Sequence, residues 1–315
     1  MYRYIIKRLL LIIPILLGVS FIIFSLMQLT PGNPAMAILG NEATQNQIDE
    51  LNKELGYDRP FLVQYFTYMK KLILRFDMGR SWTTRREVGK EIISRLPITV
   101  EIAFWGIFGA TILGIPIGVL SAVKQYSTLD ILMVFISMLF AAVPVFWLGM
   151  VLMLIFSLQM KLLPSSGYGS PIYLVLPTLS LALPYAAQEL RYTRSSMLES
   201  VRQDFVRTAR AKGANERIVI WRHALGNALL PVITITGINF GALIGGAVVI
   251  EKLFNLPGLG MLLVTGVTLK DIPVVMGCTM TLSAIYCLVM LFVDICYAFV
   301  DPRIKAKYSK GNIHD

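Results

Sequence analysis

Apolar residues are concentrated in six long runs that polar segments separate. Each run has about 20 residues or more, enough to cross roughly 30 Å of hydrocarbon as a helix rising about 1.5 Å per residue. The fourth run is the weakest, because Pro177 and Pro184 interrupt it. The runs are residues 9–29, 98–123, 131–158, 172–190, 229–250 and 273–299. The pattern predicts an all-α polytopic membrane protein with six transmembrane helices, since isolated strands would leave backbone groups unpaired in lipid.

The polar segments between the runs set the expected domain organisation. Residues 1–30 are predicted to form the first transmembrane helix, 31–97 a helical extracytoplasmic insert, and 98–300 the transmembrane core. The core includes a cytoplasmic loop at 191–228, and residues 301–315 form a cytoplasmic tail. The first run is about 21 residues long, longer than the apolar core of a usual secretory signal, so we expect a retained span.

The composition agrees with a membrane protein, and the distribution of positive charges predicts the orientation of the chain in the membrane. Of the 315 residues, 56% are hydrophobic and 15% charged, and the mean hydropathy is +0.66. With the N-terminus inside, the short inner segments hold 16 Lys and Arg residues against three in the short outer segments. Both termini are therefore expected in the cytoplasm of a bacterial cell, by the positive-inside rule. The net charge of +10 follows from topology and attraction to anionic lipid, and requires no nucleic-acid partner.

The insert has the sequence signals of two helices. Thr44 can cap a segment that carries Ile48 and Leu55 on one side and that Gly56 ends. Pro60 can open a second helix. The insert is either a small docking surface or a folded loop that covers the spans, and the pattern favours neither.

Small residues recur at intervals of four in the second and fifth runs, which predicts close helix packing. The glycines assigned to helix packing are Gly114, Gly118, Gly237, Gly241 and Gly245.

The sequence offers little for catalysis or metal binding. The G-x-x-x-x-G-K-[ST] phosphate loop is absent, and His223 and His314 cannot form an H-E-x-x-H zinc motif. Three cysteines lie at steps of nine in the sixth run, so they do not cluster as ligands. No charged residue is expected at the middle of a span, which weighs against an ion-coupled carrier. We therefore assign no catalytic residue and no metal site.

A basic stretch between the fourth and fifth runs has a different pattern. Gly213 is suited to end one short amphipathic helix, and Asn215 can cap the next. On that second helix, four apolar residues recur at three- and four-residue steps: Ile218, Trp221, Leu225 and Leu229. Three interpretations compete, namely a DNA-binding helix-turn-helix, a lipid-facing helix pair, and a corner that docks a partner protein.

Four segments of the chain carry a family resemblance. DFVRTARAKGANERIVIWRHALGNALLP (204–231) resembles the cytoplasmic EAA loop of ABC importer permeases of the dipeptide, oligopeptide and nickel branch, with Arg207-Thr208-Ala209 where Glu-Ala-Ala is usual. MGRSWTTRREVGKEIISRLPITVEIA (78–103), GGAVVIEKLFNLPGLGMLL (245–263) and VDICYAFVDPRI (293–304) are similar to other segments of that branch, in the same order.

The resemblance implies a permease subunit of a heteromeric importer in the bacterial inner membrane. Its partners would be a second permease, with a heterodimer favoured, two cytoplasmic ATPases, an extracytoplasmic solute-binding protein, and lipid. The chain would bind no cofactor, because ATP and Mg²⁺ belong to the ATPases. Peptide is the favoured cargo, with nickel and glutathione as alternatives. An ATP-independent channel or carrier remains the rival class.

Two sets of site residues follow from the resemblance. Residues 204–217 would form the coupling helix, with Phe205 and Ala209 packed in a groove of the ATPase and Arg210 and Lys212 at its rim. The ATPase-coupling residues are Phe205, Ala209, Arg210, Ala211, Lys212, Gly213 and Ala214. The segment 251–272 would lie at the outer mouth and help receive substrate. Its assigned residues are Glu251, Phe254, Pro257, Gly258 and Gly260.

Overall fold

The computed structural model describes residues 2–40 and 42–300, so the expected tail at 301–315 lies outside the described residues. Throughout this part of the chain the secondary structure is helical, apart from one isolated bridge between Arg80 and Glu87. The α-helices are α1 (Tyr2–Leu29), α2 (Pro34–Leu39), α3 (Gln45–Leu55), α4 (Phe61–Arg75), α5 (Val88–Val123), α6 (Thr128–Ala142), α7 (Val145–Leu152), α8 (Val175–Val201), α9 (Asp204–Ala211), α10 (Glu216–Ile218), α11 (Leu225–Leu253), α12 (Leu259–Thr268) and α13 (Ile272–Val300). The all-α membrane fold predicted from the apolar runs is confirmed.

The expected count of six spans is not confirmed. Four described helices are long and apolar enough to cross a membrane, or five if a bent pair counts as one span. The first member of that pair is α6, and the second is α7 together with its π-helical continuation Met153–Gln159. The chain bends by 103° between the two members, where Pro144 immediately precedes α7. Since proline has no backbone N–H to donate, the third apolar run breaks there.

The helix α8 stands where the weak fourth run predicted a span. It continues eleven residues beyond the predicted end at residue 190, to Val201. Its C-terminal half carries Glu189, Arg191 and Arg194, which keeps it outside the set of purely apolar spans. The predicted end therefore cut the helix near its middle.

The main core lies where α5, α8 and α11 meet. Ile102 from α5, Leu181 from α8 and Leu243 from α11 are fully buried in it. Gly114 and Gly118 allow the close approach of α5 to α8, because a Cβ at Gly114 would lie 2.8 Å from the Ala186 carbonyl oxygen.

Of the other three glycines assigned to helix packing, two contact a neighbouring helix and one does not. A Cβ at Gly237 would lie 2.1 Å from Val293 on α13, and one at Gly241 would lie 2.8 Å from Tyr286. Gly245 faces open space, with no heavy atom within 4 Å of a built Cβ, so it does not serve helix packing within this chain.

The insert folds against the first helix. Tyr65 on α4 is buried, and its hydroxyl group lies 2.9 Å from the Ser20 hydroxyl group on α1. The predicted signals for α3 are present as a Thr44 capping box and as Gly56, at a φ of 72°, at its C-terminus. Residues 88–97, which we assigned to the insert, are the first turns of α5.

Candidate functional site

The basic corner, residues 204–217, has the geometry that its sequence predicted. The helix α9 ends at Ala211, and Gly213 has a φ of 78°, which glycine adopts without a Cβ clash. The Asn215 side chain accepts a hydrogen bond from the Arg217 backbone N–H and so caps α10. The chain therefore turns sharply between two capped helices.

The inner face of this corner is fixed to the helical bundle. Val206 is fully buried and Ala209 is 9% exposed, and both pack in a cluster with Val119 of α5 and Met197 of α8. The Ser200 hydroxyl group donates a buried hydrogen bond of 2.8 Å to the Ala224 carbonyl oxygen, which ties α8 to the chain beyond the corner. The corner and the bundle therefore form one packed body.

This packing corrects the expected role of Ala209. We expected Ala209 to share an ATPase groove with Phe205, which lies one turn away on α9, but the two side chains differ in burial. Ala209 contributes to the intramolecular cluster, whereas Phe205 is 41% exposed. Ala211, Lys212 and Gly213 are also exposed, and Ala214 packs partly against the cluster.

A bidentate ion pair spans the corner. The Arg210 guanidinium group donates to both carboxylate oxygens of Glu216, with distances of 3.1 Å from Nε and 2.7 Å from Nη2. The paired carboxylate raises the pKa of Arg210 further above its ordinary value. Arg210 is thus paired with a carboxylate of its own chain, whereas we expected it to meet an acidic rim on the ATPase.

The apolar face predicted for the second helix is also different. Of its four predicted residues, Leu225 is buried and Leu229 is partly buried, but Ile218 and Trp221 are each 49% exposed. Val219 and Ile220 are buried in their place. The reason is that residues Val219–Ala224 are π-helical, which adds a residue to the turn and shifts the register of the face.

A buried ion pair braces the helices above the corner. The Arg194 guanidinium group on α8 donates to both carboxylate oxygens of Asp130 on α6, at 2.7 and 2.8 Å. Asp130 also accepts hydrogen bonds from the Ser121 hydroxyl group and the Tyr126 backbone N–H. Sequence reasoning missed this brace, because its two charged members are 64 residues apart.

The residues assigned to the outer mouth form a packed joint. We call residues 251–261 the glycine joint. Glu251 and Phe254 are buried in it, whereas Pro257 is exposed. A Cβ at Gly258 would lie 2.3 Å from the Glu251 carboxyl carbon, and one at Gly260 would lie 2.3 Å from the Val248 Cα atom. These two glycines are therefore required for close packing.

The Glu251 carboxylate holds the glycine joint together. It accepts hydrogen bonds from the Thr99 hydroxyl group at 2.5 Å and from the Met261 backbone N–H at 3.0 Å. The same Thr99 oxygen accepts from the Leu259 backbone N–H at 2.8 Å. The carboxylate thus satisfies the N-terminus of α12 and links it to α5. In this conformation Glu251 and Phe254 support the segment from within, and their expected contact with substrate is not available.

A cavity and a buried acid lie deeper among the helices. The cavity has a volume of about 540 Å³ and lies between α5, α11 and α13. Glu189 lies near the middle of α8 and is fully buried. We ended the fourth apolar run at residue 190, which put Glu189 at the end of that run, whereas in the structure it lies near the middle of a longer helix.

Comparison with known proteins covers nearly the whole chain. Residues 114–306 match the model of the family described as binding-protein-dependent transport system inner membrane component. Residues 1–103 match the model of the N-terminal part of such a membrane component.

Two characterised relatives are similar over their full length. A dipeptide transport system permease protein from Alkalihalophilus pseudofirmus is 37% identical, covering 97% of this chain and 100% of the relative. A glutathione transport system permease protein from Salmonella paratyphi A is 40% identical, covering 98% of this chain and 100% of the relative.

Solved structures share the fold at lower identity. A methionine ABC transporter in inward-facing conformations superposes with a TM-score of 0.53 at 18% identity, covering 67% of this chain and 96% of that one. An amino acid ABC transporter gives a TM-score of 0.50 at 16% identity, covering 68% of this chain and 94% of that one.

Proposed function

Because the chain belongs to the family of binding-protein-dependent transport system inner membrane components, which are ABC importer permeases, we propose that it forms half of the pathway through which an ATP-driven importer takes up peptides. It is a multi-pass, non-catalytic membrane subunit, and ATP is hydrolysed on separate ATPase subunits. Peptide cargo is supported by the dipeptide and glutathione permeases that resemble the chain, since glutathione is itself a tripeptide.

The basic corner carries the coupling part of this proposal. A coupling element has to present one face to the ATPase and be rigidly joined to the helices that move. Phe205 supplies an exposed apolar side chain beside the buried side of α9, while Val206 and Ala209 fasten the helix to α5 and α8. This combination of one exposed aromatic side chain and two buried anchoring residues in one short helix is the observation that supports the proposal most directly.

Force then passes from the corner into two helices. A displacement of α9 reaches α8 through the Ser200–Ala224 hydrogen bond and the apolar cluster, and the Arg194–Asp130 ion pair extends it to α6. Interiors packed in this way transmit displacements with little loss, because they are close-packed and have low compressibility.

The partners follow from the same machinery. We propose that two ATPases bind the basic corners of this chain and of a sister permease, and that a solute-binding protein delivers cargo to the opposite face. ATP and Mg²⁺ would be bound by the ATPases alone. The N-terminus and the C-terminus would then both be cytoplasmic, on the same side as the basic corner.

Substitution of Gly213 tests the coupling. Gly213→Val puts a β-branched residue at a φ of 78°, which it adopts only with strain, so the corner should open. Recovery of the ATPases with the tagged permease should fall by about tenfold or more, as for loss of a hot-spot contact. Gly226→Val is the matched control, because Gly226 lies in a nearby helix with open space around its Cβ position. Unchanged recovery with Gly213→Val would contradict the proposed coupling.

A reconstitution separates the importer from the rival class. Vesicles that contain this chain, its sister permease, the ATPases and the binding protein should accumulate labelled dipeptide only with ATP. Vesicles that contain this chain alone should not. Uptake by the chain alone, with no ATPase present, would identify an independent channel or carrier.

A further inference from the structure

Glu189 is a carboxylic acid enclosed by the helices of the bundle. It is fully buried on α8, between α5 and α11. A Cβ at Gly114 of α5 would lie 2.8 Å from the Glu189 Cβ, so the backbone of α5 closes one side of the site. Ionisable groups inside spans are costly and commonly mark the path of a substrate or ion.

The site around Glu189 has hydrogen-bonding capacity left over. The Thr111 hydroxyl group donates to Glu189 Oε1 over 3.4 Å, and the Thr236 side chain on α11 also interacts with the carboxyl group. Within the described residues, Glu189 Oε2, Thr193 Oγ1 and Asn239 Nδ2 are buried without a hydrogen-bond partner. Thr193 is one turn from Glu189 on α8, and Asn239 is one turn from Thr236 on α11.

Two other buried carboxylates of the helical bundle, those of Asp130 and Glu251, do not share this property. Asp130 is bonded by Arg194, Ser121 and the Tyr126 backbone, and both oxygens of Glu251 accept hydrogen bonds. Both therefore serve as satisfied structural links. Leaving a charged or polar group unsatisfied costs about 1–3 kcal/mol, more if it is charged, so a purely structural acid at position 189 would be expected to have both oxygens paired.

A route leads from the cavity to Glu189. Thr236 has the only polar side chain among the eleven described residues that line the cavity of about 540 Å³. The cavity is large enough for a small peptide, and the rest of its lining is apolar, including Phe104, Ile107 and Phe240. A movement of α11 relative to α8 that displaces Thr236 would therefore open Glu189 to the cavity.

We propose that Glu189, Thr193, Thr236 and Asn239 form a subsite for the amino-terminal ammonium group of the cargo. This rests on the proposed function of the chain as a peptide importer subunit. Glu189 Oε2 and Thr193 Oγ1 are free to accept hydrogen bonds from an ammonium group, and Asn239 Nδ2 is free to donate to the neighbouring peptide carbonyl oxygen. The single carboxylate balances the single positive charge of that group.

A binding experiment on the assembled importer without its binding protein isolates this subsite. The two probes are alanyl-alanine amide and its N-acetylated form, which differ in the ammonium group. At saturating concentrations the free amine should raise the Tm of the wild-type complex by about 2–4 °C, while the acetylated probe should not. Glu189→Gln should abolish the shift, because it removes the charge and keeps the shape.

The matched control is Glu199→Gln, an exposed acid on the same helix that should keep the shift. Thr236→Val should weaken the apparent affinity for the free amine by about tenfold, in keeping with loss of a hydrogen bond to a charged group. Equal shifts with both probes, a shift retained in Glu189→Gln, or no shift in the wild-type complex would each overturn the proposal.

ATP-driven uptake of the two probes, measured in vesicles with the binding protein present, keeps the two proposals separate. The wild-type and Glu189→Gln importers use the same binding protein. Any preference of that protein for one probe therefore cancels in the ratio of the two importers' uptake rates. A wild-type importer that takes up peptide but shows no amine-dependent Tm shift would refute the subsite alone. An importer that takes up no peptide would refute the proposed cargo.

Discussion

The basic corner and the glycine joint both connect two helices through a glycine-containing turn, yet they place their distinctive side chains in opposite environments. In the basic corner, Gly213 has open space around it and Phe205 is exposed. In the glycine joint, Gly258 and Gly260 are packed against Glu251 and Val248, and Phe254 is buried. The corner therefore leaves its aromatic side chain exposed, as the proposed ATPase contact requires, whereas the joint packs its own within the chain.

The comparison predicts that the two regions respond differently to substitution. Changes in the joint and in the Arg194–Asp130 ion pair should lower the stability of the chain. Changes on the exposed face of the corner should leave the chain stable and weaken its assembly.

The largest effect is expected for Arg194→Leu, which leaves the buried Asp130 carboxylate without its countercharge. Breaking a buried pair in this way costs about 3–5 kcal/mol. The measurement is the free energy of unfolding of the chain in detergent, with Arg191→Leu, an exposed arginine on the same helix, as the control. A loss below about 1 kcal/mol would show that the ion pair does not brace the corner.

Gly260→Ala should come next. The new Cβ would lie 2.3 Å from the Val248 Cα atom, and a backbone atom cannot move aside as a flexible side chain can. Overpacking of this kind costs about 1–3 kcal/mol. Thermal denaturation should show a clear drop in Tm relative to Gly245→Ala, whose Cβ enters open space. Equal Tm values for the two variants would mean that the joint is not tightly packed.

Phe205→Ser should separate assembly from stability. Since Phe205 is 41% exposed, the free energy of unfolding should change by less than about 0.5 kcal/mol. ATPase recovery should fall by about tenfold, because exposed aromatic residues are frequent hot spots of interfaces. Phe66→Ser, at an exposed aromatic residue of the insert, should leave ATPase recovery unchanged. An equal loss of ATPase recovery with Phe205→Ser and Phe66→Ser would show that the loss is not specific to the basic corner.

Arg210→Ala should have the smallest effect. Its ion pair with Glu216 is solvent-exposed, so the expected loss is about 0–1 kcal/mol, and it should shrink further at high salt. Denaturation at low and high salt measures both quantities. A larger loss that salt does not reduce would show that this pair, and not the backbone around Gly213, sets the angle of the corner.

Local features of the fold were predictable because they depend on neighbouring residues. Gly56 and Gly213 end helices at positive φ, and Asn215 caps the helix that follows, as their chemistry requires. The π-helical turn after Ile218 was not predictable from spacing, because the tertiary contacts of Val219 and Ile220 determine which face is buried.

The positions of the candidate sites were predictable from the sequence, but the burial and pairing of their side chains were not. The position of the basic corner follows from its sequence, but the burial of Ala209 depends on Val119 and Met197, which lie far from it in the chain. Similarly, Glu251 can be read as a polar residue at a helix end, but its role depends on Thr99 of another helix. Glu189 was missed because the fourth apolar run was ended at residue 190, and a place at the end of that run gave no sign that the helix continues to Val201 and encloses this acid.

The amino-acid sequence by itself determined the all-α membrane fold, the position of the basic corner and the glycines that end its helices, because apolar length and backbone preference are local properties. Only the tertiary structure decided which side chains face a partner and which are enclosed. It exposed Phe205 and buried Ala209, paired Arg194 with Asp130, and enclosed Glu189 with one oxygen unpaired. These outcomes depend on helices that are distant in the chain, since burial and pairing are set by the packing of neighbours and not by sequence spacing.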